Sequence, residues 1–86
     1  MHWLYILRCA DDSLYIGETN DLNERLVAHG EGRSKHTAVR RPVALVHSEP
    51  FENRILALGR ESQLKRWTRA KKEALVKGDL NTLRRL

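Results

Sequence analysis

Two stretches rich in aromatic and branched residues, Trp3-Leu4-Tyr5-Ile6-Leu7 and Leu14-Tyr15-Ile16-Gly17, flank the turn-forming cluster Ala10-Asp11-Asp12-Ser13. Such a pattern predicts a β-hairpin. The hairpin constrains the rest of the fold, because side chains alternate faces along a strand and loop length decides which residues share a face. A two-residue loop at Asp11-Asp12 pairs Ala10 with Ser13 and sends Tyr5 and Tyr15 to opposite faces. A three-residue loop pairs Cys9 with Ser13, sets Tyr5 against Gly17 and Tyr15 against Leu7, and brings both phenols to one face. Asp12 then takes the left-handed backbone position, which Asp tolerates better than most residues. Leu4, Ile6, Leu14 and Ile16 form the opposite, core-facing side. Joint action of the tyrosines requires the odd loop.

Thr19-Asn20-Asp21 supplies N-cap candidates for a helix from about Leu22 to His29, with Gly30 as its C-cap. Arg25 and His29 are i, i+4 neighbours and point towards one place. Residues 31–41 are polar and basic and read as a loop or short helix around Ser34-Lys35-His36-Thr37. A third strand runs over residues 43–49 and is stopped by Pro50; Val43, Leu45 and His47 alternate with Ala44, Val46 and Ser48. A helix from Phe51 or Glu52 to about Trp67 places Glu61 at the edge of an apolar stripe. Thr68 caps a helix over residues 69–77 that ends at Gly78, and Asp79 caps a last turn or two sharing Leu80, Leu83 and Leu86 on one face. The order β-β-α-β-α-α predicts an α+β fold, a three-stranded antiparallel sheet packed with helices. At 86 residues the expectation is one domain over 1–86.

Charge is unevenly placed. Residues 1–32 carry two basic and six acidic residues, a net −4, whereas residues 33–86 carry 14 basic and five acidic residues, a net +9. A basic half of that size attracts phosphate backbones through counterion release, although a solvated helical surface has the same composition. No apolar run approaches a membrane span, no signal peptide is legible at the N-terminus, and Cys9 is the sole cysteine. These point to a reducing compartment, the cytoplasm, with no membrane partner. The histidines and Cys9 form no zinc spacing, and Gly30-Glu31-Gly32 is no P-loop.

Trp3-Leu4-Tyr5 followed by Tyr15-Ile16-Gly17 resembles the paired motif of the GIY-YIG nuclease superfamily, and the likeness continues through Thr19, Asn20 and Arg25 to Glu61. It spans nearly the whole chain and is nearest to the small stand-alone bacterial members. Trp3 and Leu4 stand where the first triplet has Gly and Ile; Tyr5 is kept and the second triplet is complete.

The resemblance implies a metal-dependent endonuclease that hydrolyses phosphodiester bonds in DNA, branched or single-stranded forms included, with a role in DNA repair or recombination; RNA stays open as a partner, chiefly under the rival binding-module reading. It implies a catalytic set of Tyr5, Tyr15, Arg25, His29 and Glu61. Glu61 would hold one Mg²⁺ (or Mn²⁺), with waters and substrate phosphate completing the shell. Against this stands an ordinary i, i+4 pair with Lys65. Arg25 would neutralise the scissile phosphate, its plain alternative being a pair with Asp21. Tyr5 would act as base or water-orienting group, and since a phenol with pKa about 10 is a weak base, His29 offers an acceptor for its proton. Lys35 and His36 in the basic loop, and Arg66 and Arg69 beside Trp67, are substrate-binding candidates. The rival readings are a nucleic-acid-binding module with weak catalysis and an adaptor whose basic face docks an acidic protein. The sequence sets no oligomeric state.

Overall fold

Cys9 N–H donates to Ser13 O at 2.9 Å across the first turn, and Asp12 adopts φ 69°. The loop is therefore odd. In the computed structural model, which describes residues 1–85, β1 (His2–Cys9) pairs antiparallel with β2 (Leu14–Thr19), with Tyr5 opposite Gly17 and Leu7 opposite Tyr15. Asp11 closes the turn by accepting from the Ser13 N–H and hydroxyl.

The chain continues through α1 (Leu22–Gly30), a 3₁₀ turn (Ala38–Arg40), β3 (Val43–Phe51), α2 (Arg54–Lys65), α3 (Arg69–Lys77) and α4 (Leu80–Arg85). The sheet order is β2-β1-β3, so β1 is central. This is the expected α+β arrangement. Leu4, Ile6 and Ile16 leave one face of the sheet and close over Leu64 of α2 in the core. Leu14, Val46, Phe51, Trp67, Leu75 and Val76 pack around them. Burial of this set supplies the main drive to fold, at roughly 25 cal/mol per Å² of apolar surface.

Asp21, Asn53, Thr68 and Asp79 each accept from a backbone N–H in the first turn of the following helix. Gly78 takes the left-handed C-cap of α3 as its position predicts.

Several local expectations change. Gly30 is helical, and the left-handed residue closing α1 is Gly32, at φ 79°, where the Arg33 N–H reaches Ala28 O. Pro50 does not end β3; it pairs with Trp3 and is tolerated because β3 is an edge strand. The strict alternation along β3 breaks where the register moves from Ile6–His47 to Leu7–Leu45, leaving Val46 as the extra residue of a bulge. The helix expected from residue 51 or 52 begins at Arg54, because Asn53 is the better cap. Leu86 lies outside the described residues.

Candidate active site

Pairing Tyr5 with Gly17 puts an aromatic ring over a residue without a side chain. A Cβ on Gly17 would fall 2.5 Å from the Tyr5 hydroxyl oxygen and 3.1 Å from Cε2 of Tyr15. The glycine therefore makes room for two phenols on one face, with ring centroids 6.3 Å apart.

Asp21 starts α1 so that Arg25 and His29, one turn apart, meet these rings. The Tyr5 hydroxyl lies 2.9 Å from His29 Nε2, and Arg25 Nε donates to the same oxygen at 3.3 Å. His29 Nδ1 lies 2.6 Å from the Thr37 hydroxyl. Tyr5, His29 and Thr37 are fully buried, so each polar atom needs a partner inside the protein. Arg25 can only donate, which leaves His29 Nε2 as the acceptor for the Tyr5 hydroxyl hydrogen. His29 is then the Nδ1–H tautomer, donating to Thr37 Oγ1.

Electrostatics support that assignment. Burial pushes the Tyr5 phenol above its ordinary value; Arg25 opposes the shift, while Tyr15 and Glu61 add to it. Burial, then the charge of Arg25 and of His36, lowers His29 below its ordinary value. Both groups are neutral near pH 7. A proton moving from Tyr5 to His29 leaves the imidazolium donating to both oxygens, with the phenolate held by two donors.

Tyr15 lies 5.2 Å from the His29 ring and carries the exposed His36 ring stacked at 5.9 Å. The 31–41 segment reaches the site because it folds back on the end of α1. Thr37 and Ala38 N–H donate to Ser34 O, and Arg41 donates to Ala38 O and Gly30 O while lying over Gly32. Thr37 is the site residue that sequence reasoning left without a role. A threonine in a polar loop has no local signal for burial.

Glu61 sits between Ala57 and Leu64, both fully buried, on the inward side of α2, with its side chain 19% exposed. Burial is the first cause of the raised Tyr5 phenol, and the charge of Glu61 is the least of the contributions to it. Its one ion-pair partner among the described residues is Lys65 at 3.5 Å, so the plain i, i+4 pair is present as well. Arg25 has no carboxylate within ion-pair distance among the described residues; its side chain serves the tyrosines instead of Asp21. No cluster of three metal-ligating side chains occurs among the described residues. A lone, partly buried carboxylate suits an ion that keeps waters and takes substrate oxygens, as Mg²⁺ does.

The remaining candidates divide. His36 is in the site and Lys35 precedes it, exposed. Arg69 belongs to another cluster: it donates to Asp12 and Glu73, which also binds Arg8 through paired contacts at 2.6 and 2.8 Å. Arg66 is the exposed C-cap of α2, and Trp67 beside it is covered by Arg60 and Lys71.

This chain belongs to the GIY-YIG family, whose catalytic-domain model matches residues 1–74. Within it the chain is similar to UPF0213 proteins. One from Bacillus velezensis is 49% identical over 76 residues, 87% of this chain and 77% of that one. Another, from Staphylococcus aureus, is 47% identical over 77 residues, 88% and 94% of the two chains. The solution NMR structure of a UPF0213 protein from Bacillus halodurans shares 39% identity with a TM-score of 0.59, covering 88% of this chain and 82% of that one. A solution NMR structure from E. faecalis shares 40% identity with a TM-score of 0.62, covering 90% and 83%. The domain is thus of the nuclease type, a class that acts on nucleic acids and generally uses a divalent metal. No described helix is long and apolar enough to cross a membrane.

Proposed function

We propose that this chain, as one domain, is a divalent-metal-dependent endonuclease that hydrolyses DNA phosphodiester bonds and works in the cytoplasm in DNA repair or recombination. The observation that carries the reading is the Tyr5 hydroxyl held between His29 Nε2 and Arg25 Nε.

A water attacks phosphorus in line with the leaving oxygen. Its proton passes to the Tyr5 oxygen as the Tyr5 proton passes to His29 Nε2, so the proton lands on a group whose Nδ1–H is already held by Thr37. The O–P bond to water forms, the ester O–P bond breaks, and the leaving oxygen takes a proton from solvent. Arg25 holds a non-bridging phosphate oxygen through its terminal nitrogens, since its Nε is committed to Tyr5. Tyr15 and His36 wall the phosphate, and Lys35 meets the flanking backbone. Glu61 would hold Mg²⁺ or Mn²⁺, which supplies charge neutralisation at the phosphoryl oxygens. Arg66, with the basic second half, holds backbone further out.

A second reading, a binding module without turnover, draws on the Lys65–Glu61 pair, which keeps the carboxylate occupied. Nicking of supercoiled plasmid, with Mg²⁺ and with chelator, separates the two. The nuclease reading expects nicking with Mg²⁺ that chelator and Glu61→Ala abolish while DNA binding persists. Salt-dependent binding without cleavage would favour the binding module.

A further inference from the structure

Beside the site lies a polar cavity of about 510 Å³, bounded by the end of β2 and the starts of α1 and α2. Glu18, Asn20, Glu24, Arg25 and Arg54 line it with His2. Arg25 is the shared wall: it borders the cavity while its Nε donates to the Tyr5 hydroxyl.

The chemistry of the lining limits what fits. Two carboxylates face two guanidiniums, so the cavity has no surplus of positive charge with which to hold a second phosphate. Arg54 is tied to Glu18 at 3.3 Å, and the Thr19 hydroxyl is taken up by the Asp21 backbone. The Asn20 amide and the Glu24 carboxylate are left with capacity to spare; Glu24 is 57% exposed and, among the described residues, its carboxylate pairs only with Arg33, at 3.7 Å. The Glu24 carboxylate can only accept, which suits an exocyclic amino group of a nucleobase and not the carbonyl that uracil and thymine present at the corresponding position; the Asn20 amide, donor and acceptor at once, holds either.

We infer that this cavity is a base-reading subsite, which takes the nucleobase flanking the phosphate at Arg25 and favours a base that carries an exocyclic amino group. Glu24 is the reading residue, and Asn20 holds the base beside it. The inference rests on the nuclease reading for the position of the phosphate, and it gives the domain a local sequence preference with no separate recognition element.

The test is a titration of ¹⁵N-labelled protein with oligo-deoxycytidine and oligo-deoxyuridine tetranucleotides, in chelator so that nothing is cleaved. These strands differ at position 4 of the base and in the proton on N3. Expected are shifts of the Asn20, Glu24 and Arg25 amides, with the cytidine strand bound about tenfold tighter, the worth of roughly one good hydrogen bond. The gap closes in Glu24→Gln, whereas Asn20→Ala weakens both strands alike. Equal affinity for the two strands, no binding of either, shifts confined to α3, or a gap that Glu24→Gln retains would overturn the inference. Because the titration needs no turnover, it judges the subsite separately from the nuclease. Mg²⁺-dependent cleavage without base preference would remove the subsite and leave the nuclease reading standing.

Discussion

Gly17 stands directly opposite Tyr5 on the neighbouring strand, and any Cβ there would sit 2.5 Å from the phenol oxygen. The motif glycine is thus a spacing device for the hydroxyl that His29 and Arg25 hold. Gly17→Ala pushes the ring off both partners. Overpacking of this kind costs about 1–3 kcal/mol. The expected outcome is a drop in Tm of several degrees and a loss of cleavage larger than the stability change explains, since the variant stays folded at assay temperature. Thermal melts and cleavage rates on the same preparation check this.

Thr37 fixes the tautomer of His29. Thr37→Val leaves the buried Nδ1–H without an acceptor, at a cost of about 1–3 kcal/mol. On the nuclease reading His29 must be neutral to take the Tyr5 proton, and its pKa is depressed, first by burial. Activity therefore persists as pH falls through the ordinary histidine value of 6.5 and declines only below it. The same depression makes stability linked to His29 complete above 6.5 and lost as pH falls towards the lower folded value. A kcat/KM profile with an acid limb at or above 6.5 would contradict this.

The face shared by the tyrosines was legible because a strand has period two, so the parity of a single turn settles which side each phenol takes. The helix starts were legible for a similar reason: Asp21, Thr68 and Asp79 cap locally. The Val46 bulge was not, because it appears only in the pairing of β3 with β1. Gly30 and Gly32 are equally good stops by residue type, and the fold-back of residues 31–41 selects the second. Thr37 and Glu73 were not legible: Thr37 meets His29 eight positions back from within a polar loop and Glu73 meets Arg8 across 65 positions, and no local pattern reports either contact.

That Arg8–Glu73–Arg69–Asp12 cluster fastens the hairpin turn to α3. Hydrogen bonds from Arg8 lead the causes that hold Glu73 at about 2, against an ordinary 4.5. With the folded value depressed, its stabilisation is present above pH 4.5 and lost as pH falls towards 2. Solvent screening limits it to about 1 kcal/mol, or roughly 4–8 °C in Tm for a domain this small. Glu73→Gln should lower Tm by that amount at pH 7 and flatten its acid dependence. Identical melting curves for the two proteins from pH 7 to 3 would refute the clasp.

Lys65 competes with any cation for Glu61. Removing an exposed partner of this kind is worth a few tenths to 1 kcal/mol, about a two- to fivefold change in an equilibrium. Lys65→Ala should lower the Mg²⁺ concentration for half-maximal cleavage by that factor, read from a metal titration of the rate. An unchanged midpoint would place the ion elsewhere.

The most direct test of the proposed chemistry is single-turnover cleavage by Tyr5→Phe beside wild type, with DNA affinity measured for both. The substitution removes one oxygen atom from the centre and keeps the ring packed over Gly17. The nuclease reading predicts DNA affinity within about twofold of wild type, and a chemical step slowed by at least about 100-fold, the usual worth of a positioned proton acceptor. Cleavage by Tyr5→Phe at the wild-type rate would contradict it, because the hydroxyl between His29 and Arg25 would then have no part in breaking the bond.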